Sequence, residues 1–184
     1  MANKIIDNDQ KREISIKYCF LAVIFWIATV TCICMIFHFS NQTGTASSAV
    51  SNGFISVINE YFGTEIVDDS AIRLFAHGVE FAILTFLSYM ALSSTNKISN
   101  RTSYSESPVK LMRSDNEMNI IFTLWFAILN AIFDEYHQLF VIGRAGRIFN
   151  VLIDIIGIVI VLIIIRVVFS IYLKTKGKNE VVYT

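Results

Sequence analysis

Residues 18–37 read YCFLAVIFWIATVTCICMIF, twenty positions without a charged side chain. At about 1.5 Å of rise per residue, such a helix covers about 30 Å, the thickness of a bilayer's hydrocarbon core. A polar segment, residues 1–17, precedes it. No small-residue cleavage pattern follows, and the apolar run is longer than a signal-peptide core. A retained membrane helix is the expectation.

Three further stretches follow outward from this one. Residues 71–92 form a second span, cleanly apolar only in its latter half, with Arg73, His77 and Glu80 in the first. Residues 118–140 form a third, with Asp134, Glu135, His137 and Gln138 crowded at its end. Residues 149–169 form the fourth, with Asp154 near its start and Arg166 near its finish. The expected fold class is an all-α membrane protein of about four transmembrane helices in a compact bundle. The implied division is a cytoplasmic segment at 1–17, a transmembrane domain at 18–170 with a Ser/Asn-rich cytoplasmic linker at 94–117, and a basic cytoplasmic tail at 171–184.

Composition agrees. Charged residues make up 16% of the chain and hydrophobic ones 54%, with a mean hydropathy of +0.58, against roughly 25% charged in ordinary globular chains. One Pro and 8 Gly exclude collagen-like sequence. The 15 basic residues balance 15 acidic ones, so no excess basic charge points to nucleic acid as a partner. Membrane lipids are the expected partners. The 3 cysteines, Cys19, Cys32 and Cys34, all fall in the first span; an odd count is no disulfide framework.

Orientation follows from Lys and Arg in the short flanks. Lys4, Lys11, Arg12 and Lys17 precede the first span, Lys97, Arg101, Lys110 and Arg113 lie between the second and third, and Lys174, Lys176 and Lys178 follow the fourth. Residues 40–70 hold no Lys or Arg before the second span, but carry Glu60, Glu65, Asp68 and Asp69. Both termini and the middle loop are therefore expected inside the cell, with the first and third loops outside. Arg144 and Arg147, in the third loop, break the pattern. In the first loop Phe54, Val57, Ile58 and Tyr61 recur at helical spacing, an amphipathic turn or two suited to a membrane surface or to capping the bundle.

With that orientation, the polar residues gather at one depth. Ser40 and Gln42 end the first span. Arg73, His77 and Glu80 share one face of the second at i, i+4 and i+7. Asp134 and Gln138 form an i, i+4 pair on the third, as do Asn150 and Asp154 on the fourth, with Glu135 beside them. The inner half is expected to be almost wholly apolar. Ionisable groups in spans cost roughly 2.5–3.5 kcal/mol each on insertion scales and face the bundle interior or a wet cavity. One outward-facing polar pocket is expected, unless the groups nearest the helix ends simply reach water. Arg–carboxylate pairing is expected among Arg73, Arg144, Arg147 and the acids. The loop Gly143-Arg144-Ala145-Gly146-Arg147 is a candidate to present guanidinium groups to an anionic headgroup or carboxylate.

Other chemistries are less well supported. His77 with Glu80 and Asp134 with His137 have a spacing used by carboxylate-bridged metal bundles, but no ligand repeat supports it, and no metal or cofactor is expected. Ser40 near His38 does not establish a nucleophile.

These polar stretches, in this order, resemble the VanZ-like family of small bacterial membrane proteins. The matching pieces are Phe39-Ser40-Asn41-Gln42, Arg73-x-x-x-His77-x-x-Glu80, the run from Asp134-Glu135-Tyr136-His137-Gln138 to Gly143-Arg144, then Arg147, Val151-Leu152-Ile153-Asp154 and Gly157. The match covers roughly residues 36–160. Leu74 stands where the family usually has a basic residue, Ile142 where it has Pro, and Asn150 where an acid is often found. The resemblance implies a cell-envelope protein of a bacterial plasma membrane, its site facing outward, linked to tolerance of teicoplanin-type glycopeptides or to cell-wall and lipid homeostasis.

Two functions fit. One is a binder whose ligand-binding residues are Ser40, Gln42, Arg73, Glu135, Gln138, Arg144, Asn150 and Asp154, for an outer-leaflet ligand such as a lipoglycopeptide or cell-wall precursor. The other is a membrane hydrolase or transferase in which Glu80, Asp134 and His77 are the catalytic candidates, the carboxylates as general acid or base and the imidazole as proton carrier. Transport fits poorly, since an apolar inner half offers no relay.

Overall fold

The computed structural model describes residues 15–62, 69–98, 108–144 and 146–181. It contains α1 (Ile16–Ser40), α2 (Gly44–Phe62), α3 (Asp69–Asn96), α4 (Pro108–Gln138) and α5 (Ile148–Val181), with no strand among the described residues. Four helices are long and apolar enough to cross a membrane, over Ile16–Ser40, Ala71–Asn96, Met112–Gln138 and Ile148–Thr175. The all-α architecture with four spans is as expected.

The helices run up and down. The Ser15 backbone N–H donates to the Ile98 carbonyl at 3.0 Å, joining the start of α1 to the end of α3. Asn96 Nδ2 donates to Asn119 Oδ1 at 2.6 Å, so the start of α4 lies at that same end. At the opposite end the Gly44 N–H donates to the Ile142 carbonyl at 3.3 Å, which brings the α1–α2 turn against the α4–α5 turn. Helix α3 is central and packs against α1, α2, α4 and α5. Its Phe81 and Leu84 are fully buried with Ala127 and Ala131 of α4 and Ile158 of α5. Small alanines on α4 let the helices approach closely, the usual device where the hydrophobic effect does not drive helices together.

The outward faces are apolar. Phe20, Ile27 and Val30 of α1, Phe122, Trp125 and Phe133 of α4, and Val167, Val168 and Ile171 of α5 are all exposed. Apolar surface on this scale is foreign to a water-soluble monomer and natural against lipid.

Several boundaries shift. Helix α3 reaches Asn96 and α4 begins at Pro108, so the segment expected as a linker at 94–117 is helical at both ends. Pro108 occupies the first helical position, where its missing N–H leaves no intrahelical bond unmade. The tail expected at 171–184 continues α5 as far as Val181. The amphipathic segment of the first loop is a 19-residue helix, α2. Val57 on it is exposed, while the side chains of Phe54, Ile58 and Tyr61 lie outside the described residues. So do Lys4, Lys11, Arg12, Glu65, Asp68, Arg101 and Ala145.

The expected apolar inner half is also corrected. Thr85, Ser88, Ser94, Asn116, Asn119 and Thr123 are buried there. Thr85 donates to the Phe81 carbonyl and Ser88 to the Leu84 carbonyl, each satisfying its hydroxyl on its own helix. The Tyr89 hydroxyl donates to Asn116 Oδ1, and with the Asn96–Asn119 bond this ties α3 to α4. These bonds stay inside the bundle, which is how uncharged polar side chains can be buried; the Thr123 hydroxyl has no partner among the described residues.

Candidate functional site

The polar cluster sits where α1 and α4 end and α5 begins. Asp134, in the last turns of α4, is 0% exposed. One turn on, Gln138 Nε2 donates to Asp134 Oδ2 at 2.8 Å and to Ser40 Oγ of α1 at 3.3 Å. Across from them on α3, His77 Nδ1 lies 4.0 Å from Asp134 Oδ2 and 3.8 Å from Glu80 Oε2. The imidazole therefore stands between two carboxylates from different helices. Glu80 keeps partial exposure, with 28% of its side chain accessible.

Arg144 closes this end of the bundle. Its Nε donates to the Gln42 carbonyl at 3.0 Å, Nη2 to the Phe39 carbonyl at 3.0 Å and Nη1 to Gln138 Oε1 at 3.3 Å. Phe39 is the penultimate residue of α1 and Gln42 follows the helix; at such an end helical C=O groups lack intrahelical partners and the dipole favours a cation. Burial draws the Arg144 guanidinium below its ordinary value, with Asp134 working against that and Arg73 with it; an arginine remains charged regardless. Arg144 thus holds protein oxygens rather than standing open for an anion. Gln42 contributes its backbone, not its side chain, to this contact.

A second subcluster shapes the α4–α5 turn. Glu135 Oε1 accepts the Arg147 backbone N–H at 2.6 Å and Asn150 Nδ2 at 2.8 Å. The carboxylate thereby satisfies an orphan donor just before α5 begins, in the manner of a helix cap. Where the family often has an acid, Asn150 supplies the donor that Glu135 requires. The Arg147 side chain is exposed. Gly143 takes φ +77°, and its carbonyl lies so close to Gly44 that a Cβ there would sit 2.3 Å from the oxygen. Glycine at both places is what lets the two turns meet.

Asp154 of α5 is 0% exposed, and neither of its carboxylate oxygens has a hydrogen-bond partner among the described residues. The same holds for Asp134 Oδ1, Glu135 Oε2 and His77 Nδ1. Asp154 lies within electrostatic range of Asp134, Glu135 and Glu80. Arg73 is half-buried one turn before His77. The cluster is thus rich in acceptors lacking donors, a costly arrangement for buried oxygens.

The other candidates resolve simply. His137 turns its ring edge-on to Phe37 of α1, with centroids 6.0 Å apart. His38 is on the exposed side against Phe39, whereas Ser40 is buried and accepts from Gln138. Among the described residues no group of three or more His, Cys, Asp or Glu gathers as metal ligands. Two participants escaped sequence reasoning: the Phe39 carbonyl, which carries no side-chain signal, and Gly78 of α3, whose carbonyl packs so closely on Gly157 of α5 that a Cβ there would not fit.

The VanZ/LLP1 family matches residues 25–169. No curated protein and no solved structure matches the chain.

Proposed function

The chain belongs to the VanZ/LLP1 family, and from that premise we propose that it is a plasma-membrane protein of the bacterial envelope that binds an outer-leaflet amphiphile at the Asp134–His77–Glu80 cluster. The orientation assumed is the one the Lys and Arg distribution favours, with the cluster on the extracellular side. The observation carrying the reading is Asp134, fully buried, held through one oxygen by Gln138, its other oxygen without a partner among the described residues. A buried acceptor held in place and left open is what a ligand's donor would complete. A lipid-tailed glycopeptide such as teicoplanin partitions into the same layer.

The test is expression in a susceptible bacterial host. Tolerance to teicoplanin is expected to rise more than tolerance to vancomycin, which lacks the lipid tail. Asp134→Asn and Glu80→Gln, with membrane levels of the protein unchanged, are expected to abolish the rise. Equal tolerance in the substituted forms overturns the reading.

A second reading rests on His77. His77 Nδ1 stands 3.8 Å and 4.0 Å from two carboxylates, and a shift of about 1 Å or one bridging water would let it exchange a proton with either, as acid–base chemistry on a lipid- or cell-wall-linked substrate requires. Incubation of purified protein with drug, lipid or muropeptide, followed by mass spectrometry, separates the two. An enzyme yields a changed product, and Glu80→Gln and Asp134→Asn then keep binding while losing turnover.

A further inference from the structure

A groove of about 360 Å³ runs between α1 and α3 on the lipid-facing side of the bundle. Its walls include Ala28, Cys32, Ile36 and Phe39 from α1 and Ile83 and Leu87 from α3, and Glu80 is the one charged side chain among its lining residues. The volume falls at the lower end of the roughly 300–1,000 Å³ typical of small-ligand sites.

Two features place the groove in the polar site's continuation. Glu80 lines it and also stands 3.8 Å from His77. Phe39 lines it and gives its carbonyl to Arg144. Because α1 and α3 are antiparallel, Glu80 and Phe39 mark one end; from there the α3 wall runs about 10 Å to Leu87, and the α1 wall continues past it to Ala28. From Ala28 to Phe39 the α1 wall is about 16 Å long at helical rise. That is about half the hydrocarbon core, the depth of a single leaflet. The groove therefore has the length, polarity and direction of one alkyl chain hanging from a headgroup at the Glu80 end.

We infer that the α1–α3 groove is an alkyl-chain slot opening sideways to the membrane, and that its occupant is an amphiphile whose ammonium head meets Glu80. A carboxylate on an otherwise apolar wall selects a head that donates hydrogen bonds and carries positive charge, since such a pair compensates the cost of placing either charge at that depth. Arg144 spends its hydrogen bonds on neutral oxygens of Phe39, Gln42 and Gln138, so none of them reaches the Glu80 carboxylate, which lines the groove. The ligand enters laterally, chain first into the groove and head against Glu80. This inference rests on the reading of the site above, and names the class of amphiphile the site takes.

The experiment uses the full chain in phosphatidylcholine vesicles with hexadecylamine bearing a photoactivatable diazirine on its chain. Hexadecanoic acid with the same diazirine is the control. The amine is expected to label peptides carrying Cys32 and Ile83 about tenfold more than the acid, as one charge-assisted hydrogen bond implies. Glu80→Gln is expected to erase that preference while leaving chain labelling in place. Thr31→Phe, at an exposed position on the groove wall, and independently Ala28→Phe fill the slot and are expected to remove the labelling, with melting temperatures equal to the parent's.

Equal labelling by amine and acid, or labelling spread over the lipid-facing surface, overturns the inference. Teicoplanin tolerance then separates it from the site reading. If Thr31→Phe keeps tolerance while Asp134→Asn loses it, the slot falls and the site stands. If both keep tolerance, both fall.

Discussion

Gly157 of α5 lies directly against Gly78 of α3, so closely that a Cβ on Gly157 would sit 2.2 Å from the Gly78 carbonyl oxygen. The relationship is not symmetric. A Cβ on Gly78 would meet Ile153 Cγ2 at 3.3 Å and its carbonyl at 3.6 Å, a side-chain contact that can give. Gly157→Ala must push backbone from backbone, at a cost of about 1–3 kcal/mol for an overpacked interior. The helix-propensity gain of about 1 kcal/mol offsets only part of this, because the contact is backbone on backbone and falls at the upper end of that range. Thermal unfolding in detergent is expected to show a clear loss for Gly157→Ala and little change for Gly78→Ala. Since Gly78 adjoins His77, teicoplanin tolerance should fall with the first variant only; equal effects from the two would refute the close crossing.

Asn150 and Glu135 make a second asymmetric pair. The Asn150 amide donates to a carboxylate oxygen that also accepts the Arg147 N–H. Asn150→Asp restores the acid common in the family but removes the donor and sets two carboxylates together. The expected loss is about 1–3 kcal/mol, the cost of an unsatisfied buried polar group, and larger than for Asn150→Ala. Adding Glu135→Gln should rescue it, since a glutamine can accept from Arg147 and donate to the new aspartate. Failure of that rescue in an unfolding measurement would remove the cap-like role given to Glu135.

Much of the site could be read from spacing. Arg73, His77 and Glu80 lie along one stripe because i, i+4 and i+7 do so on any helix, and Gln138 bonds Asp134 for the same reason. Charged residues in apolar runs announce themselves. The buried layer of Thr85, Ser88, Asn116, Asn119 and Thr123 did not, because uncharged polar residues barely lower the hydropathy of a span. Asn116 also falls in a stretch whose Ser, Asn and charges read as linker. Nor could the role of Arg144 be read: two of its acceptors are main-chain carbonyls of residues about a hundred positions away, and main chain leaves no mark in a sequence.

The side of the membrane on which the cluster lies can be measured directly. In a background with Cys19, Cys32 and Cys34 replaced by Ser, Asn52→Cys on α2 and Lys97→Cys after α3 are both solvent-accessible probes. A membrane-impermeant maleimide added to intact cells is expected to label the cysteine at 52, and to label that at 97 only after permeabilisation. Reversed labelling would put the cluster on the cytoplasmic side and remove any direct contact with an extracellular drug.

Arg144 tests whether geometry or charge holds the site together. Its guanidinium reaches two carbonyls at the end of α1, of Phe39 and Gln42, and the Gln138 side chain of α4 at once, a planar fork that a lysine ammonium cannot reproduce. Arg144→Lys keeps the charge that balances Asp134 and Glu80 but releases at least one of those oxygens. If the fork matters, Arg144→Lys should lose about 1.5–3 kcal/mol for each charged hydrogen bond it forfeits, and Arg144→Ala, which forfeits all three, should lose more. Gln138 should then slacken, Asp134 lose its fixed orientation, and tolerance disappear in both variants. If instead the lysine form keeps parental tolerance and melting temperature, the residue acts as a point charge. The order of the site would then have to come from the Gln138 bonds to Ser40 and Asp134 alone.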